Sequence, residues 1–319
     1  MVAAVEQVPG DGTYDAGVTR HFLTGEEVTA EELAALLDRA LELKADRGAS
    51  DALARRSVAL IFEQPSTRTR VSFEVGVSEM GGYPLVLREG EMQMSRGESI
   101  HDTAQVLSRF VSAIGVRTVP HADVAGLAEA ATVPVFNMLT GGHHPCQALA
   151  DLLTLRERFG QLDGLKLAYV GDGNNVAHSL MVLGAKAGLE VAVATPAELA
   201  PDPLVAQVAG AQATGSGSVL LTQDPATAVA GAAAVYADVW VSMGDQDADE
   251  RRRLLEPYRL DDALLAGARE DAIALHCLPA HPGEEITEEV LYGPRSAVFD
   301  QAENRLHAQK ALLELLVQA

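Results

Sequence analysis

Ser57-Val58-Ala59-Leu60-Ile61-Phe62 is an apolar run of strand length, and Glu63-Gln64-Pro65-Ser66-Thr67-Arg68 ends it with a polar, proline-containing loop. From Thr69 the apolar residues take a helical spacing, Phe73, Val77 and Met80, which stops at Gly81-Gly82. Tyr83 opens another short apolar run, over 83–87. A strand that is apolar along its whole length must be covered on both faces. That is the condition of a parallel sheet whose crossovers are helices.

The same unit recurs in both directions. Upstream, Thr29 and Glu32 form a capping-box pattern that predicts a helix to about residue 45. Downstream, Ala104, Leu107 and Val111 predict a helix over 99–112, followed by strands at 113–116 and 134–136. The loop Thr140-Gly141-Gly142-His143-His144-Pro145 leads into an amphipathic helix over 146–159. The alternation then restarts, with strands at 165–170, 189–194, 218–221, 234–239 and 273–276 and a last helix over 302–317. The Ala/Gly-rich stretch 205–217 reads as a loose helix and a loop. The expected fold is α/β: two doubly wound parallel-sheet domains, 1–148 and 149–303, with an active-site cleft between them. Helix 304–319 is expected to pack back on the first domain. Residues 1–19 carry no Lys or Arg and no helical period and read as an acidic, mobile leader.

Composition bounds the function. Of 319 residues, 48% are hydrophobic and 22% charged, which is a globular balance and excludes a disordered chain. The formal net charge of -21 opposes nucleic acid as a partner, so an anionic substrate needs a local basic cluster. No apolar run reaches the ~18 residues of a membrane span. Two cysteines, Cys146 and Cys277, cannot staple a framework, and a reducing cytoplasm is expected. The nine histidines show no paired-ligand spacing, so no metal and no cofactor are expected.

The sharpest chemical signal is Ser66-Thr67-Arg68-Thr69-Arg70 between a strand and a helix. Free N–H groups, three hydroxyls, two guanidiniums and the positive end of a helix dipole make an anion site. A capped helix with solvated arginines would need fewer of these groups. Gly171-Asp172-Gly173 has the start of a dinucleotide loop, but Val176 stands where the third glycine belongs. Cys277 follows His276 on a strand end. A thiol hydrolase would need His276 as the base of Cys277, yet neighbours on a strand point to opposite faces.

Four segments carry a resemblance. Ser66-Thr67-Arg68-Thr69-Arg70, His144-Pro145-Cys146-Gln147, Asp238-Val239-Trp240-Val241-Ser242-Met243-Gly244 and His276-Cys277-Leu278-Pro279 stand in the order and spacing found in the aspartate and ornithine carbamoyltransferases, and they resemble the ornithine branch. The resemblance runs from about residue 21 to the C-terminus. It implies transfer of a carbamoyl group from carbamoyl phosphate to the δ-amino group of L-ornithine. It puts carbamoyl phosphate on Ser66, Thr67, Arg68, Thr69, Arg117, His144 and Gln147. Gln93, which its own sequence context reads as a surface-loop residue, would reach the carbamoyl phosphate of a neighbouring subunit in a homotrimer with shared active sites. Ornithine would meet Asn175, Asp238, Ser242, Met243, Cys277, Leu278 and Arg305, with Cys277 as hydrogen-bond partner or proton acceptor of the reacting nitrogen. Arg117, His144 and Cys277 would be catalytic.

Other amines compete. Aspartate would call for cations around a second carboxylate, whereas the Arg96 region lacks a lysine and Asp238 would repel it. Putrescine has no carboxylate for Ser242-Met243-Gly244 to hold, and acetylornithine is a further candidate. A catalytically silent binding subunit of the same fold is the reading from another class; it is disfavoured because every proposed chemical group is present.

Overall fold

A computed structural model describes residues 19–93, 97–242 and 247–318. The first half runs α1 (Ala30–Ala45), β1 (Ser57–Phe62), α2 (Arg68–Glu79), β2 (Tyr83–Arg88), α3 (Ile100–Leu107), β3 (Ala113–Arg117), α4 (His121–Ala130), β4 (Val135–Leu139) and α5 (Pro145–Phe159). The second runs β5 (Lys166–Val170), α6 (Asn175–Lys186), β6 (Glu190–Ala194), α7 (Pro203–Ala211), β7 (Ser218–Thr222), α8 (Pro225–Val229) and β8 (Ala234–Ala237). It continues through α9 (Ala248–Leu255), α10 (Asp262–Leu265), β9 (Ile273–Leu275), α11 (Glu288–Leu291) and α12 (Val298–Gln318).

The strands form two sheets, ordered β2-β1-β3-β4 and β7-β6-β5-β8-β9. Every described pairing is parallel. The central strands are buried as their composition requires: Val58 to Leu60 and Leu167 to Tyr169 have no exposed surface. In each sheet the chain winds out one way and returns to wind the other. The reversals fall between β1 and β3 and between β5 and β8. In such sheets ligands bind beyond the carboxyl ends of the strands at the reversal. Residues 63–69, Arg117, residues 171–175 and Asp238 all stand there.

Helix α12 packs against α1, α2 and α5. Glu314 on it accepts from Arg39 Nε at 2.5 Å and Ser50 Oγ at 2.8 Å. Its start at Val298 precedes the expected 302, because Val298 is itself a core residue. Helix α3 is shorter than expected. Ser99 caps it, but Ser108 Oγ bonds back to Ala104 O at 2.7 Å and accepts from Thr132 N–H at 3.1 Å, drawing the chain into turns that leave Phe110 exposed. The leader, apart from Thr19, lies outside the described residues.

Candidate active site

The loop after β1 delivers the anion site. Thr67 precedes α2 in a helical conformation, and its side chain makes no capping bond. No acidic residue sits in the first turn of α2, so the helix dipole faces the loop uncompensated. Ser66 is half-buried and Thr67 exposed. The two arginines of the motif part company. Arg70 turns outward to pair with Glu74 at 3.0 Å, one helical turn on. Arg68 turns inward, where its Nη2 donates to Leu278 O at 2.6 Å. That bond joins the first sheet's loop to the end of the second sheet.

Thr69 is buried beneath the loop and collects two guanidiniums, Arg305 Nη2 at 2.6 Å and Arg117 Nη1 at 3.4 Å. Arg305 Nη1 also donates to Gln147 Oε1. Arg305, which the resemblance puts with ornithine, therefore stands beside the carbamoyl-phosphate residues. Burial, then the charges of Arg305 and Arg68, pushes the Arg117 guanidinium down to about 10. Burial, then Arg305, Arg117 and Arg68, holds the His144 imidazole well below its ordinary value, so the ring is neutral at pH 7. Three buried nitrogens here have no partner: Arg117 Nε, His144 Nδ1 and Arg305 Nε. Buried polar nitrogens left open cost about 1–3 kcal/mol each. Together with the crowded positive charge, they call for an anionic, oxygen-rich ligand.

His144 is set by a helix of the other domain. Three side chains of α6 hold the loop that carries it. Asn175 Nδ2 donates to Thr140 O at 2.6 Å, His178 Nδ1 lies 2.9 Å from Gly142 O, and Ser179 Oγ accepts from His144 N–H at 2.8 Å. His178 Nε2 accepts from Asp202 N–H at 2.9 Å, so Nδ1 carries the proton and donates. His178 and Ser179 escaped the sequence reading, because nothing local marks them. Asn175, which the resemblance puts with ornithine, gives one of its two amide hydrogens to Thr140 O.

Opposite the guanidiniums, Asp238 is buried beyond β8. Its Oδ1 accepts from the Cys277 thiol at 2.9 Å and its Oδ2 from Asn174 Nδ2 at 2.7 Å. Asn174 is fixed in turn. Its Oδ1 caps α6, accepting from Val176 N–H at 2.9 Å, and also takes the Tyr169 hydroxyl at 3.1 Å. An Asn directly before a helical run is an N-cap signature that could have singled it out. Gly173 in this loop serves packing, since a Cβ there would lie 2.3 Å from Pro201 N.

Leu278 has a positive φ of 60° in a non-glycine residue, which turns its carbonyl to Arg68. His276 is not available as a base. Its Nδ1 accepts from Leu278 N–H at 2.8 Å and its Nε2 faces Glu285 Oε1 at 3.1 Å. Asp238, His276 and Cys277 bring one ligand atom each within 4.8 Å of one another. Their polar atoms are already engaged: Leu278 N–H and Glu285 hold the His276 ring, and the Cys277 thiol and Asn174 hold the Asp238 carboxylate. Ser242 is half-buried and engaged. Gln93 is exposed beyond β2, and its carbonyl accepts from Glu98 N–H at 3.1 Å. Met243, Gly244 and Arg96 lie outside the described residues.

Comparison with known proteins places both halves of the chain in one family. Residues 20–157 match the family model "Aspartate/ornithine carbamoyltransferase, carbamoyl-P binding domain", and residues 163–316 match "Aspartate/ornithine carbamoyltransferase, Asp/Orn binding domain". The chain is similar to the ornithine carbamoyltransferase of Acidothermus cellulolyticus, with 57% identity over 94% of this chain and 97% of that protein. Among solved structures it is similar to the ornithine carbamoyltransferase of Pyrococcus furiosus, with 47% identity and a TM-score of 0.90 over 96% of this chain and 99% of that one. An acetylornithine transcarbamylase complexed with acetylcitrulline is 32% identical, with a TM-score of 0.83 over 93% of this chain and 98% of that one. On its sequence, its two sheets and the residues gathered between them, this chain belongs to the aspartate/ornithine carbamoyltransferase family.

Proposed function

We propose that the chain transfers the carbamoyl group of carbamoyl phosphate to the δ-amino group of L-ornithine, giving L-citrulline and phosphate. One observation carries this reading. A cluster of Arg68, Arg117 and Arg305, the last two each with an open buried nitrogen, faces the Cys277–Asp238 pair, and the Arg68–Leu278 bond joins the two halves.

The chemistry follows from that arrangement. The phosphate sits on the N–H groups and hydroxyls of Ser66, Thr67 and Thr69, with Arg68 as its fork-shaped counter-ion. Arg117 and the neutral His144 donate to the carbamoyl oxygen as it becomes an oxyanion. Gln147 holds the carbamoyl amide. The amine must attack uncharged, and neutralising an alkylamine that titrates near ~10 costs roughly 4 kcal/mol at pH 7. Asp238 holds the α-ammonium, Cys277 and the Leu278 carbonyl orient the δ-nitrogen, and Ser242, with Met243 next to it in sequence, serves the amino acid. The δ-nitrogen attacks the carbamoyl carbon, the C–O bond to phosphate breaks, and the amine proton leaves with the phosphate or to solvent.

Residues 1–148 form the carbamoyl-phosphate unit in this reading, completed by the last helix, and 149–303 the ornithine unit. Exposed apolar side chains on the first unit, Val71, Val106 and Phe110 among them, support a homotrimer in which Gln93 reaches the neighbouring site. Such an enzyme supplies citrulline for arginine biosynthesis in the cytoplasm, and its two free thiols suit a reducing compartment. A crystal structure with a bisubstrate analogue, a phosphonate joined through a carbamoyl group to ornithine, tests the placement. The phosphonate is expected against Ser66–Thr69 with the α-carbon beside Asp238; a phosphonate bound elsewhere overturns it.

A further inference from the structure

Asp151 lies on α5 one turn beyond Gln147 and is fully buried. Its Oδ1 accepts from two amides, Gln147 Nε2 at 2.8 Å and Gln301 Nε2 at 2.6 Å. Each glutamine commits its oxygen elsewhere. Gln147 Oε1 accepts from Arg305 Nη1, and Gln301 Oε1 accepts from His276 N–H at 2.9 Å. A glutamine amide has two nearly isosteric orientations, and only its partners choose between them. A carboxylate accepts and never donates while ionised, so both NH2 groups must face Asp151 and both oxygens must face away from it.

We propose that Asp151 is a positioning residue for carbamoyl transfer: it fixes the amide of Gln147 so that Oε1 is presented to Arg305 and to the carbamoyl amide group. The proposal rests on the carbamoyl-transfer reading of this site. Two observations support it. Asp151 is far from solvent, where a carboxylate is costly and an apolar side chain would pack at less expense. Both amides converge on one oxygen, Oδ1, at 2.8 and 2.6 Å, so a single group sets the orientation of two glutamines, while the Tyr236 hydroxyl stands on the other side of the carboxyl. With the amide reversed, Gln147 would aim an NH2 group at a guanidinium and offer the carbamoyl amide a donor where it needs an acceptor.

The test is a double-mutant cycle on the full-length protein, read as citrulline formation beside thermal melting. Asp151→Ala is expected to lower kcat by about 30-fold or more. Asp151→Asn keeps the accepting oxygen and can turn its amide nitrogen to Tyr236, so it should stay within about threefold of wild type. On a Gln147→Ala background, Asp151→Ala should cost less than about threefold, because the amide it orients is gone. If Asp151→Ala fails to fold, Asp151→Leu fills the space without the buried charge and carries the same expectations. The proposal is overturned if the Asp151 variant keeps wild-type kcat, if Asp151→Asn loses as much as Asp151→Ala, or if the loss is as large without Gln147 as with it. Wild-type turnover with carbamoyl phosphate and ornithine, measured alongside, separates failure of this proposal from failure of the reading beneath it.

Discussion

The Cys277 thiol donates to Asp238 Oδ1 at 2.9 Å, and Asp238 holds its other oxygen on Asn174. Burial, then the neighbouring Asp238, raises the thiol well above its ordinary value. Cys277 is therefore a thiol at neutral pH, which favours hydrogen-bond partner over proton acceptor for its role at the δ-nitrogen. Below the amine's own pKa of ~10, the neutral fraction grows about tenfold per pH unit. The rate constant kcat/KM for ornithine should climb with that slope from pH 6 to 9. Cys277→Ser should lower it at every pH and leave the slope unchanged. A Cys277→Ser variant with wild-type kinetics would make Cys277 a packing residue, and one that abolished the slope would make the thiol the titrating base.

Arg68→Ala should weaken carbamoyl-phosphate binding by about 1.5–3 kcal/mol, roughly 10- to 150-fold in Kd. It removes a charge-assisted contact and also frees Leu278 O. Arg70→Ala, by contrast, removes a half-buried pair with Glu74 and should leave binding within about twofold. Calorimetric titration of both variants checks the division. Equal losses would contradict it.

Gln93→Ala and Arg117→Ala should each be nearly inactive as pure proteins. After mixing, dissociation and reassembly, activity should return to about a quarter of wild type, since random mixing brings the two intact residues together at one junction in four. No recovery would argue that Gln93 does not act across an interface.

Lys186 on α6 ties the two domains through the backbone. Its buried Nζ donates to Gly25 O and Val28 O at 2.7 Å each and to Glu26 O at 3.1 Å. Lys186→Met leaves those carbonyls without their cationic donor and should lower unfolding free energy by about 2–3 kcal/mol. Urea denaturation is the measurement, and an unchanged midpoint would show that water replaces the ammonium without cost.

The strands were legible because most are apolar runs between polar loops, a pattern that belongs to parallel sheets, whose central strands are buried here while the edge strands β2 and β7 are not. The Ser66–Thr69 loop was legible because its donors are adjacent in sequence. What was hidden depends on partners far along the chain. Arg68 and Arg70 look alike until Leu278 and Glu74 take them in opposite directions. Ser179 and Asp151 are ordinary helical residues until the fold places His144 N–H and Gln301 beside them. The end of α3 was misplaced because Val111 keeps the helical spacing while the backbone, drawn by Ser108, has already turned.

The central claim is that the two facing halves select ornithine as the acceptor of a carbamoyl group. Its most direct test is the steady-state rate of carbamoyl transfer from carbamoyl phosphate to a panel of L-ornithine, N-acetylornithine, putrescine and aspartate. Loss of a charge-assisted contact costs about 1.5–3 kcal/mol, so ornithine should exceed each of the others by at least tenfold in kcat/KM. A higher kcat/KM for any other amine, or no turnover with ornithine, would contradict the account.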